Sequence, residues 1–282
     1  MNMKDILTCY EDVKDDLKFQ GISSVRIKIM ISLYEGPQKT KDLREITGIP
    51  SSTLIHGINE LEKQKLISRK GDDFFLSETG LIWTLKLIDI IKTRRLLKNT
   101  KNFWINHNIE SIPQDLLMKI GDLSSSNLIE NEPDDMLKTY RTYLHIVSNS
   151  KEVKGFLPVS YPNYTETFAK LLKENTYVEL ILTREILLNT INSLNPEDLS
   201  EFKRLISENK LKIWEIKEDI KLTFTVTDNS MILSLFSTDG IYDPNLILVS
   251  DHNDAITWGN KLFDYHQKKS QKINMEYLEQ FM

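Results

Sequence analysis

Ser52, Thr53, His56, Asn59 and Lys63 recur at a spacing that sets them apart, on a helix, from Leu54, Ile58 and Leu61. Two hydroxyls, an imidazole, an amide and an ammonium can both donate and accept hydrogen bonds. On one helical face that is the chemistry that meets base edges and phosphates in a major groove. Lys41 precedes this set, and Arg69 and Lys70 follow it. Cations so placed neutralise phosphates of any sequence.

The elements that must position these side chains lie in residues 40–76, TKDLREITGIPSSTLIHGINELEKQKLISRKGDDFFL. Thr40 is predicted to cap a first helix, with Asp42 in its first turn and with Leu43 and Ile46 sharing a face. Gly48 ends that helix and Pro50 prevents its continuation. Ser51 or Ser52 caps a second. Leu66 and Ile67 begin a strand, Gly71-Asp72-Asp73 turns the chain, and Phe74 to Leu76 return. Helix, turn, helix and basic-aromatic hairpin follow in the order of a winged helix-turn-helix. The same helices could also serve as a protein-docking module.

Charge agrees with the nucleic-acid reading. Residues 1–101 carry 18 Lys and Arg against 14 Asp and Glu, whereas the remainder carries 18 against 27. A positive half and a negative half are expected when only one of them meets phosphates. The whole chain, 282 residues at net −5, suggests two domains. Its single cysteine, Cys9, rules out an intrachain disulfide and any multi-cysteine metal site. No run approaches the roughly 20 apolar residues of a membrane span, and no signal-peptide pattern opens the chain. The expected location is the cytoplasm, with no membrane partner.

Beyond the wing, a helix is expected from Leu81 to Lys98. It is apolar almost all round up to Ile91 and ends in Lys92, Arg94, Arg95 and Lys98. A helix of that kind is buried or paired with a second copy, and the expectation is a homodimer, helped by a helix over residues 4–19. Asn106 to Pro113 is a break. Helices are expected over Pro113–Leu123 and Asp134–Ser148. An apolar run begins at Gly155, and an amphipathic helix spans Tyr164–Glu174. From there strands at Val178–Leu182, Lys212–Ile216, Leu222–Thr227, Met231–Phe236 and Asn245–Val249 mix with helices at Arg184–Ser193, Pro196–Asn209 and Asn253–Lys268. The resulting division is a winged domain over 1–80, linker and dimerisation helices over 81–150, and a mixed α/β sensing domain over 151–282.

No catalytic constellation emerges. There is no Gly-rich phosphate loop and no nucleophile elbow. The five histidines are scattered; His252 and His266 read as capping or solvated groups. No metal site and no cofactor are expected. Thr183 and Arg184 close one strand and open a helix, a place where hydroxyl, guanidinium and free amides meet an anion. Asp239 and Tyr242 follow another strand. These four are the candidate ligand residues, for a small effector of anionic character.

The segments LREITGIPSSTLIHGINELEKQKLI, FFLSETG, FWINHNIESIPQDLLMKIGDL, VELILTREIL, LTFTVTDNSMILSLFSTDGIYD and ITWGNKLFDYHQKKS resemble the methanogenesis-regulator family of archaeal transcription factors. That resemblance spans nearly the whole chain. It implies a winged helix joined to the family's middle domain, an α/β domain of phospholipase-D-like outline without catalysis. The His-x-Lys motif of the phospholipases is missing here. His56 stands where such recognition helices often carry a basic residue. Lone Cys9 leaves no intrachain redox switch of the kind some related regulators use.

The expected fold class is thus α+β, with an N-terminal winged helix-turn-helix, a linker helix and a mixed α/β domain. The expected function is DNA-binding transcriptional regulation by a dimer that senses an effector or partner, and not catalysis. The alternative is an enzyme of the α/β domain with the winged domain as a dimerisation or docking module, and a third reading is a ligand-independent architectural or scaffold protein.

Overall fold

The computed structural model describes residues 2–159 and 176–279 and divides into two compact units, residues 1–91 and 92–282. The helix expected at Tyr164–Glu174 lies outside the described residues.

The first unit runs α1 (Met3–Ile22), α2 (Ser24–Tyr34), β1 (Gln38–Lys39), α3 (Thr40–Thr47), α4 (Ser51–Lys63), β2 (Ile67–Lys70), β3 (Asp73–Leu76) and the first turns of α5 (Glu78–Asn99). Its strands form an antiparallel sheet in the order β1-β3-β2. Local chemistry explains the boundaries. The Asp42 carboxylate accepts from the Lys39 amide at 3.3 Å, so the cap falls one residue before Thr40. Gly48 closes α3 in the left-handed region at φ 66°, and Pro50 occupies the cap position of α4. Gly71, at φ 63°, turns the β2–β3 hairpin.

Apolar residues of α2, α3, α4 and the hairpin make one core, in which Ile29, Leu43, Leu54 and Leu61 are fully buried. Ile46 departs from expectation, at 60% exposed. On an eight-residue helix only one narrow stripe reaches the core, and Leu43 fills it. Ser77 ties the hairpin to α5: its hydroxyl donates to the Lys65 carbonyl at 2.7 Å and accepts from the Gly80 amide at 3.0 Å.

The second unit is mixed α+β. Among its described residues β4 (Asn127–Glu130), β5 (Glu152–Leu157), β6 (Tyr177–Thr183), β7 (Leu211–Ile216), β8 (Leu222–Thr227), β9 (Met231–Leu235), β10 (Leu246–Ser250) and β11 (Gln271–Lys272) form one sheet. The order is β11-β7-β6-β5-β8-β9-β10-β4. Pairings β5–β6 and β6–β7 are parallel, and the rest are antiparallel. One face packs on α6 (Lys101–Ile105), α7 (Gln114–Leu117) and α11 (Asn253–Lys268) around Trp258, Phe263 and Phe156. The other packs on α8 (Lys138–Ser148), α9 (Arg184–Ser193), α10 (Pro196–Ser207) and the short α12 (Met275–Glu279).

Sequence expectation and structure differ at several places. Pro113–Leu123 is not one helix but α7 followed by a 3-10 turn at Ile120–Leu123. Gly121 sits inside that turn, where a Cβ would lie 2.9 Å from the Thr93 hydroxyl and 3.1 Å from Lys92. The second helix begins at Lys138 rather than Asp134, and β4 was not foreseen.

His266 is the sharpest correction. It is 2% exposed and stacks on Phe156 at 6.0 Å, with Phe224 and Tyr265 around it. It lines a cavity of about 230 Å³ with Glu110, Ser111, Glu218, Asp219, Lys221 and Lys269. Helical spacing of three and four residues turns it inward with Phe263 and Leu262 on α11, which no local signal at Asp264-Tyr265-His266 reveals.

Burial, reinforced by the Lys269 ammonium, pushes its pKa down from 6.5 to about 4; the Ser111 backbone and Glu218 act weakly the other way. Above about pH 6.5 the ring is neutral in both folded and unfolded chains and contributes no pH dependence. As pH falls towards 4, the unfolded chain takes a proton that the folded one resists, and stability is lost. Urea unfolding at pH 7 and pH 4.5 is expected to show a loss of about 2–3 kcal/mol from this group. His266→Leu should remove that part of the slope. An unchanged slope in the variant would assign the acid sensitivity elsewhere.

Candidate nucleic-acid interface and the sensing face

The rotation of α4 is fixed by Gly57. A Cβ at that position would come within 2.8 Å of the Val25 side chain and 3.0 Å of Ile29 on α2. At the crossing α4 therefore contributes no side chain of its own and the Val25 and Ile29 side chains of α2 pack on its backbone, while Leu54, Ile58 and Leu61 turn inward. Ser52, Thr53, His56, Asn59 and Lys63 are all left exposed. Ser52, His56, Asn59 and Lys63 share the outer face, while Thr53 lies at its flank. Ile55 stands among them at 48% exposed, and sequence reading had missed it. Its signal was available: it is three residues from Ser52 and four from Asn59.

Cations surround that face. Lys41 is exposed at the start of α3, and the Arg44 guanidinium reaches the Ser51 hydroxyl at 3.4 Å. At the wing tip Arg69 donates to the Gly71 carbonyl at 2.8 Å and lies 3.6 Å from Asp72, while Lys70 is exposed. Exposed pairs of this kind contribute at most about 1 kcal/mol, so Arg69 can release Asp72 for a phosphate at little cost.

Behind the face a chain of contacts runs inward. His56 Nε2 lies 3.6 Å from one Glu60 oxygen, and the other accepts from Arg26 Nη1 at 2.6 Å. Arg26 also donates to the Phe19 carbonyl and stacks on the Phe19 ring at 3.8 Å. The last turns of α1 and α4 and the first turn of α2 are thus joined through one guanidinium.

In the second unit the four candidate ligand residues fall in different surroundings. Thr183 caps α9, its hydroxyl accepting from the Ile186 amide. Arg184 Nε lies 3.4 Å from Glu215, a carboxylate almost wholly buried on β7, and Arg184 Nη2 donates to the Tyr277 hydroxyl at 3.2 Å. Tyr277 in turn donates to Glu215, which pushes the phenol pKa up. Asp239 sits in the turn after β9. Tyr242 packs edge-on against Phe236 and lines a cleft with Thr139, Tyr143, Thr223, Thr225 and Ser234. Strand order puts β5 and β8 between β6 and β9. Three strand spacings amount to roughly 14 Å, so Thr183 and Tyr242 belong to separate corners of the sheet.

The Tyr242 cleft holds about 30 Å³, which is room for a water molecule or two. Its hydroxyl lining has a simple origin: β8 turns Thr223, Thr225 and Thr227 to the face where its neighbours carry apolar residues. Among the described residues no three His, Cys, Asp or Glu side chains group as a metal ion would require. None of the described helices is long and apolar enough to cross a membrane.

The chain matches the family of the methanogenesis regulatory protein FilR1 twice, by its N-terminal domain over residues 14–94 and by its middle domain over residues 136–269. It is 26% identical over 264 residues to the methanogenesis regulatory protein FilR1 of Methanothrix harundinacea (strain 6Ac), covering 93% of this chain and 59% of that protein. The chain therefore spans about three-fifths of the length of this curated relative. Among solved structures it is similar to TrmBL2, an archaeal chromatin protein described with a novel mode of DNA binding. That likeness has TM-score 0.41 and 11% identity over 92% of this chain and 98% of that one. It is also similar to Nuc of Salmonella typhimurium, a phospholipase D family member, with TM-score 0.37 and 6% identity over 53% and 98%.

Proposed function

We infer from one premise, that the chain belongs to the family of the methanogenesis regulatory protein FilR1, that its first unit binds an operator in double-stranded DNA. The second unit adjusts that binding in response to a small molecule or partner. The observation that carries the reading is the outer face of α4. It is polar, exposed and held in fixed rotation by the Gly57 crossing, with Lys41, Lys63, Arg69 and Lys70 around it. In this reading Ser52, Thr53, His56 and Asn59 meet base edges, and the cations meet phosphates. The protein acts in the cytoplasm as a homodimer, because symmetric operators are read by symmetric pairs.

The exposed stripes support pairing. On α1 Met3, Ile6, Tyr10, Val13 and Leu17 are outward, and on α5 so are Leu81, Ile82, Leu85, Ile90 and Ile91. The effector is assigned to the strand ends of the second unit. An anion there exchanges with Glu215 at Arg184, beside Thr183, and Asp239 and Tyr242 form a second rim.

A gel-shift titration tests the reading. Thr53→Ala or His56→Ala is expected to weaken specific binding by roughly 1–3 kcal/mol and relax base preference. Arg69→Ala or Lys70→Ala should weaken binding to every sequence and lower the salt slope by about one. Unchanged operator affinity in the His56, Arg69 double variant would sink the assignment of α4 and the wing.

A further inference from the structure

The DNA-binding reading names a face but not the bases it prefers, and the make-up of that face says more. Its centre holds Ser52, His56 and Asn59, three or four residues apart, and Ile55 borders Ser52 and Asn59 on the flank opposite Thr53. None of these is Lys or Arg. The cations stand at the edges: Lys63 two turns beyond His56, Arg44 against Ser51, and Arg69 and Lys70 on the wing. A guanine is most often read by Arg or Lys bidentate to its O6 and N7, and the centre offers neither. Asn59 is the side chain that pairs bidentately with adenine N6 and N7.

Ile55 is the decisive residue. A β-branched apolar side chain at 48% exposure stands outside the buried core, whose inner stripe on α4 is Leu54, Ile58 and Leu61. Against a groove it presents methyl groups, and the matching feature among the four bases is the C5-methyl of thymine. His56 is drawn towards Glu60, which leaves the Ile55 side of the face the more apolar one.

We propose that the centre of each half-site is A·T, with a thymine C5-methyl packed on Ile55 and Asn59 on an adenine of the same or the adjoining pair. This rests on α4 being the DNA-reading helix, and it makes Ile55 a determinant of sequence rather than of affinity in general.

Two measurements with the full chain test it. Selection from a random duplex pool is expected to enrich sites with an A·T centre. Deoxyuridine is then placed at each enriched thymine, which deletes only the methyl group. At one position per half-site this should weaken binding roughly four- to tenfold. In Ile55→Ala the same replacement should have no effect, and in Ile55→Val the penalty should return, which separates a lost contact from a perturbed fold. A G·C centre, or a uracil penalty that persists in Ile55→Ala, overturns this inference and leaves DNA binding standing. No enrichment of any duplex sequence overturns both.

Discussion

Gly80→Ala is expected to lower the melting temperature of the first unit by roughly 10–20 °C, the counterpart of about 3 kcal/mol in a unit of this size. A Cβ at Gly80 would lie 1.8 Å from the Leu66 carbonyl oxygen and 2.8 Å from its carbon. No rotamer change relieves that clash, because the obstructing atoms are main chain. The same carbonyl accepts from the Ser77 amide at 3.0 Å, so moving it also loosens the junction of hairpin and helix. The mirror experiment is Gly21→Ala. Gly21 lies on α1 with nothing within 4 Å of its would-be Cβ, and Ala should stabilise that helix by up to about 1 kcal/mol. Calorimetry or circular dichroism on both variants reads the contrast. A melting temperature unmoved by Gly80→Ala would mean that α5 does not seat on Leu66.

The second large effect concerns pairing. Met3, Ile6, Tyr10, Val13 and Leu17 repeat at alternating intervals of three and four, the seam of a two-stranded coil, and all are exposed. Ile6→Glu with Val13→Glu places like charges opposite one another across a symmetric seam and removes four buried side chains per pair. Light scattering is expected to show a dimer for the natural chain. The double variant should have a mass near 32.9 kDa at concentrations where the natural chain is paired, with dissociation at least about 100-fold easier. Operator affinity should fall with it, since half-sites would be bound singly. A natural chain that already sediments as a monomer at tens of micromolar would remove the seam and the symmetric operator together.

The first unit was legible because its signals are local and reinforce one another: an apolar stripe at helical spacing, Gly48 before Pro50, and a Gly-Asp turn between short strands. The errors there are of a single residue at each cap, or of one side chain. Ile46 shows the limit: spacing set it on one face with Leu43, yet on a small domain the core admits only one narrow stripe of α3. Ile55 was given no place, although it stands exposed beside the polar face of α4. The sheet of the second unit was legible strand by strand but not in its order. Nothing in residues 178–249 announces that β5 and β8 separate β6 from β9, and this order puts Thr183 and Tyr242 in different corners. His266 was misread for the same reason. Its burial depends on Phe156 and Phe224, more than 40 residues away in the chain.

The Arg26 contact carries a mechanical consequence. A 20-residue helix is about 30 Å long. With its last turns clamped through Phe19 and Arg26 to Glu60 of α4, α1 is a lever whose fulcrum is that guanidinium. A tilt of about 10° at the clamp carries the Met3 end, roughly 24 Å away, by about 4 Å, on the rise per residue of an α-helix. Displacing the far end by that amount, in reverse, tilts the clamp at the end of α4 by no more than about 10°. The gearing favours precision at the short arm: coarse motion at one end of α1 becomes fine adjustment at the last turn of α4.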